Sequence, residues 1–248
     1  GTENWRTDLY AASGTLVTAS VGYSSGPPPS ALDLFIDGMY VVQSVQSYGD
    51  TVPLLAGRDA VVRVFARASA ANAVAPAVRL RLYQGAGDTP VQTWTVPAAR
   101  GFVPTTIRED SLAWSWNQLV PGALLQPGAR LLADVDPAGA IAESEEANNS
   151  FPAGGVAKSL DVRNVNPFTI RFVPVRTAGD NRTGSVTTAN RTQFLATFAK
   201  VFPVVAINSD VRTAVYTTTT SDTLQPNNGN GAWGMVLSEV NALRVADG

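Results

Sequence analysis

Five carboxylates crowd one short stretch of this chain: Asp134, Asp136, Glu143, Glu145 and Glu146. Oxygen ligands at that density suit Ca2+, which takes about six to eight of them, and Asp134, Asp136 and Glu143 are the candidate ligands. Their spacing matches no EF-hand loop. The competing reading is a solvated hairpin whose acidic residues keep a turn polar and blunt edge pairing. Tryptophans form a second group, Trp94, Trp114 and Trp116. Read as a strand, Trp114-Ser115-Trp116 puts both indoles on one face, a candidate carbohydrate platform. Their large apolar area favours core packing instead.

Other chemistry is harder to assemble. Neither histidine nor cysteine occurs among the 248 residues. That excludes a Ser-His-Asp triad, a Cys-His pair, imidazole or thiolate zinc sites and disulfides within this sequence. The lysines are Lys158 and Lys200. Lys158-Ser159 are neighbours in a strand-like stretch and point to opposite faces, which is poor geometry for a Ser-Lys dyad. Glu145 and Glu146 are likewise adjacent, not opposed across a cleft as glycoside hydrolysis requires. Three Asn-x-Ser/Thr triplets begin at Asn148, Asn181 and Asn190 and would matter only in a eukaryotic secreted chain.

The elements that must position these groups are mostly strands. Charged residues make up 15% of the chain against roughly 25% in ordinary soluble domains, and hydrophobic residues 45%. A core of good size follows, with solubility resting on Ser, Thr, Asn, Gln and Gly. The net charge of −2 offers no footprint for a nucleic-acid backbone. No run approaches the roughly 20 apolar residues of a membrane helix. The N-terminus Gly1-Thr2-Glu3-Asn4-Trp5 shows no signal peptide, so the numbering of an exported protein would start after processing or at a chosen boundary within a longer chain.

Residues 1–30 read as a leader or tether, with β character from Leu9 to Val21 and a stiff linker at Ser24–Ser30. From 31 to 163, short strands follow one another. Leu34–Ile36 leads into Gly38, and Tyr40–Val45 follows. Val62-Arg63-Val64-Phe65-Ala66-Arg67 and Val78-Arg79-Leu80-Arg81-Leu82 alternate apolar and basic residues, as half-buried strands do. Val91–Val96 and Arg130–Asp136 continue the series. The expected fold is mainly β, an Ig/fibronectin-type antiparallel β-sandwich of about seven strands.

Beyond 164 the pattern changes to a small α/β unit. Phe168–Val175 is a strand, and Thr188–Phe202 an amphipathic helix stopped by Pro203. Val211–Thr217 is a second strand. A second helix from Ala232 to Val245 has Trp233, Val236, Leu237, Val240 and Leu243 on its expected buried stripe. The unit ends where a third strand is expected, so it reads as incomplete, with an open sheet edge and an uncovered helix face.

Two stretches carry a family resemblance. Ile141, Glu143, Glu146, Asn148 and Asn149, following Leu131–Asp136, resemble the late strand pair of the CARDB-like Ig modules of bacterial cell-adhesion-related proteins. Val52–Val64 resembles the opening strands of the same module. The order of the chain over 32–248 also resembles the N-terminal, non-catalytic part of large secreted bacterial zincin-type metalloproteases. Phe202-Pro203-Val204, Val211–Thr218 and Arg244–Gly248 carry that second likeness. It implies zinc only in a His-Glu-x-x-His half outside these residues, and no catalytic residue carries over. The expected function is a non-catalytic adhesion or scaffolding module, secreted or at a cell surface. Its expected partner is a protein or cell surface, a second copy, or its own catalytic half. The alternatives are a fragment of a secreted zinc metallopeptidase and a carbohydrate-binding sandwich.

Overall fold

The computed structural model describes residues 4–10, 16–22, 32–225 and 231–247, the first two stretches as backbone only. The proposed Ser24–Ser30 linker lies outside them. Strands β1 (Asn4–Tyr10) and β2 (Leu16–Gly22) pair antiparallel where a leader was expected.

Next come β3 (Leu34–Val42), β4 (Leu54–Leu55), β5 (Ala60–Ala68), β6 (Val78–Gln84) and β7 (Gln92–Val96). They are followed by β8 (Trp116–Val120), β9 (Ala129–Val135), β10 (Ser150–Phe151), β11 (Lys158–Ser159) and β12 (Val162–Arg163). Two antiparallel sheets result. One has the order β3-β5-β8; the other runs β10-β9-β6-β7, with β11 also on β9. Since β10 and β11 pair with successive parts of β9, they act as one interrupted edge strand. Three strands facing four, in this order, make the expected Ig/fibronectin-type sandwich.

The alternating residues build the core as expected. Val62 and Val64 of β5, Leu80 and Leu82 of β6, and Leu131 and Ala133 of β9 are buried in one cluster. The outer faces are less solvated than alternation suggested. Arg63 is only 6% exposed. Its guanidinium donates to the Tyr40 hydroxyl, the Ser115 Oγ and the carbonyls of Glu109 and Ser111. It also lies 5.0 Å from the centroid of the Phe65 ring, so a polar and aromatic layer covers the outside of the three-stranded sheet.

Gly38 does not separate two strands. β3 runs through it with a bulge, because Asp37 is an extra residue between Ile36↔Ala66 and Gly38↔Phe65. A Cβ on Gly38 would stand 2.6 Å from the Tyr48 hydroxyl, so a larger residue would push that ring aside. Tyr48 in turn donates to Asp37 at 2.7 Å. The strand stops at Val42, and Val45 is exposed.

The α/β unit contains β13 (Phe168–Phe172), β14 (Val175–Arg176), α1 (Arg191–Val201), β15 (Ile207–Val211), β16 (Tyr216–Thr217) and α2 (Trp233–Asp247). β13 pairs parallel with β15, and β14 with β16. The single strand expected over Val211–Thr217 is therefore corrected to the end of one strand and the whole of another. Pro174 interrupts the partner, where it has no N–H to give, and the second strand accommodates two extra residues before pairing resumes. Packing on α2 is thinner than its sequence promised. Val236 is buried, but Leu237 is 64% exposed and Trp233 38%. Among the described residues, no helix is long and apolar enough to cross a membrane.

Candidate functional site

The acidic stretch is a latch between strands. Asp134, 6% exposed on β9, accepts from Arg79 at 3.2 Å and Arg81 at 2.7 Å on β6, and from the Ser150 hydroxyl at 2.8 Å. Asp136 turns back and accepts from the Ile141 N–H at 2.7 Å. Glu143 accepts from the Leu34 N–H at 2.7 Å and from the Asn149 amide at 2.6 Å. Burial pushes the Glu143 carboxyl above its ordinary range, against the pull of those two donors and with the charges of Glu146 and Asp136 adding to the rise. Asn148 donates to Asp33, and the Ser144 N–H to the Leu32 carbonyl. The segment thus stitches the end of β9 to the start of β3.

Asp134, Asp136 and Glu143 do not converge on a common point. Each faces protein donors, and no group of three or more acidic side chains among the described residues could hold a metal ion. Asp134 and Asp136 have the i, i+2 spacing that shares a face within a strand, but β9 ends at Val135, and the left-handed backbone of Asp136, φ +44°, begins the turn that separates the rest.

The tryptophan pair is also divided. Leu112–Trp114 forms a single 3-10 turn capped by the Ser111 hydroxyl, so the expected strand begins only at Trp116. Trp116 points into the sandwich, 4% exposed, and its indole donates to the Pro76 carbonyl at 3.0 Å. Trp114 stays outside and half-buried, with the guanidinium carbons of Arg100 and Arg108 at 3.8 and 4.5 Å from its ring centroid. Two arginines thus lie over this ring. Lys158 pairs with Asp50 at 2.8 Å, away from Ser159 as alternation required.

Two hollows flank α2. The larger, about 960 Å3, lies between that helix and β13/β15, and the smaller, about 480 Å3, reaches the Thr177–Gly184 turn. The larger is lined by Arg171, Arg191, Asp210 and Arg244 among others. Several of these charges are engaged: Arg171 with Asp210 at 2.9 Å, and Arg191 with the Ser209 carbonyl at 3.1 Å. Glu239 on α2 was missed in the sequence, where it reads as an ordinary surface acid. It accepts from the Tyr216 hydroxyl, from both the N–H and hydroxyl of Thr219, and from the Thr220 N–H. Those bonds, the Thr219 hydroxyl first, hold its carboxyl below the usual range. No local motif marks it, because its partners lie about 20 residues away.

No family model matches the sequence, and no curated protein matches it. Among solved structures, the chain is similar to the CARDB domain of a Pyrococcus furiosus protein, solved in complex with di-metal ions. Identity is 17%, covering 54% of this chain and 96% of that one, with a TM-score of 0.32.

Proposed function

We propose that this chain is a non-catalytic module, secreted or displayed at a bacterial surface, that serves adhesion or scaffolding. One observation carries the reading: the side chains that could do chemistry are spent on holding the fold. Asp134, Asp136 and Glu143 latch strands, Trp116 fills the core, Lys158 neutralises Asp50, and Glu239 pins a loop. Apolar side chains also face outward beside exposed ion pairs. Phe194 is 53% exposed and Phe202 50%, beside Val201 on and after α1. Exposed aromatics grouped in this way suit a protein partner.

The peptidase-parent reading rests on the sequence resemblance alone. The carbohydrate reading loses its platform once Trp116 is in the core. A direct test immobilises the purified chain and measures retention of intact bacterial cells, comparing it with a Phe194→Ser/Phe202→Ser double variant. Retention that falls in the variant is expected, with no turnover of peptide, ester or glycoside substrates. Enzyme-like turnover by the purified chain, or retention indifferent to both substitutions, would sink the proposal.

A further inference from the structure

Helix α1 ends in a chemical difficulty. The last carbonyls of any helix lack intrahelical donors, and here the shortage is worse than usual. The residue four beyond Ala199 is Pro203, which has no N–H to offer. The residue four beyond Lys200 is Val204, whose N–H is already given to the Phe202 carbonyl at 2.9 Å.

The missing donors come from the sandwich. Arg58, in the turn between β4 and β5, reaches across with both terminal nitrogens. Its Nη2 donates to the Ala199 carbonyl at 3.2 Å and the Lys200 carbonyl at 3.4 Å. Its Nη1 donates to the Phe202 carbonyl at 2.7 Å and the Val204 carbonyl at 3.3 Å. The Ser44 hydroxyl adds a bond to the Lys200 carbonyl at 3.3 Å and accepts from Arg58 at 2.8 Å. A guanidinium fits this task because its donors fan out in one plane. Its charge also faces the negative end of the helix dipole.

The turn that carries Arg58 is built to aim it. Gly57 has φ of +79°, a conformation that side chains disfavour. The Gln43 side chain donates to the carbonyls of Leu55 and Arg58, at 2.9 and 2.8 Å. Asp59 accepts from the Gly122 N–H at 2.7 Å, and a Cβ on Gly122 would collide with the Gly57 carbonyl. Such fixing lowers the entropy cost of presenting a long side chain.

We infer that Arg58 is a positioning residue that completes the C-terminus of α1, so that the sandwich holds the α/β unit in its folded, docked form. The unit needs that help: its pairing is two strands wide, which is marginal alone, and α1 has 11 residues, short of what a free helix requires. This inference needs no outside partner and stands apart from the adhesion reading.

Amide hydrogen exchange on the full chain tests it, comparing wild type with Arg58→Ala, Arg58→Lys and Ser44→Ala. Losing several bonds to a charged donor is expected to speed exchange of α1 and β15 amides by about tenfold or more in Arg58→Ala. Amides of β5, β6 and β9 should be unchanged. Ser44→Ala should show a smaller effect at the same amides. Arg58→Lys keeps the charge, loses the fork and should fall between. Exchange in α1 unchanged within about twofold by Arg58→Ala would overturn the inference. So would an equal loss of protection in the sandwich strands under both alanine variants. An Arg58→Lys chain as protected as wild type would refute the role of the fork as carbonyl donor.

Discussion

Asp37 takes its role from partners 11 and 30 residues away in sequence. It is the bulge residue of β3, and its carboxylate takes a bond from Arg67 at 2.7 Å and another from the Tyr48 hydroxyl. Burial by itself would raise its carboxyl, but the bonds from Arg67 and Tyr48 outweigh that and hold it below the usual range. Burial also drives the Tyr48 hydroxyl well above the usual tyrosine range, with the Asp37 carboxylate adding to the rise. A depressed carboxyl contributes stability that is present above its unfolded value of about 3.9 and is lost as pH falls through the folded value. Asp37→Asn is therefore expected to melt below the wild type at pH 7. The gap should close as both are acidified below the ordinary aspartate range. Melting curves that stay equally far apart at all pH values would contradict that assignment. Nothing in the sequence marks Asp37 out, because Gly38 beside it looks like a strand break.

At the scale of elements, period-two alternation made β5 and β6 legible, and the Pro137-Ala138-Gly139 turn marked the end of β9. β8 was not, since Asn117 and Gln118 give it no strand propensity and Trp116 opens it straight from a 3-10 turn. Alternation also says which residues share a face, not whether that face is wet. Arg63 looked solvated and is buried because Tyr40, Phe65 and the segment Glu109–Ser115 cover it. Replacing it strands several buried acceptors at once. Arg63→Ala is expected to destabilise the chain by about 2–3 kcal/mol, read from chemical denaturation. A change near zero would mean that water readily replaces the guanidinium. The acidic latch shows the same limit: sequence spacing gave the charge density but not the partners. Arg79 and Arg81 reach Asp134 from another strand, more than 50 residues away in sequence.

For the molecule as a whole, the strand pairs after residue 163 are parallel, as is the β4/β12 pair that precedes them. The carboxylates that were candidates for Ca2+ serve as internal acceptors. The melting temperature is accordingly expected to be the same with millimolar Ca2+ as with chelator. A rise of several degrees in Ca2+ would require a site that the described contacts do not form.

The short parallel pair of β4 with β12 has a further effect. The Leu54 N–H donates to the Asp161 carbonyl and the Ala56 N–H to that of Arg163, so the chain leaves the sandwich right beside the Arg58 turn. From Arg163 to Phe168 the leash is Asn164–Pro167, which lets the two anchors separate by at most about 18 Å when fully extended. A unit freed from its clamp could wobble but never stray. Overall dimensions would hardly register the release, whereas backbone amides at the helix end would.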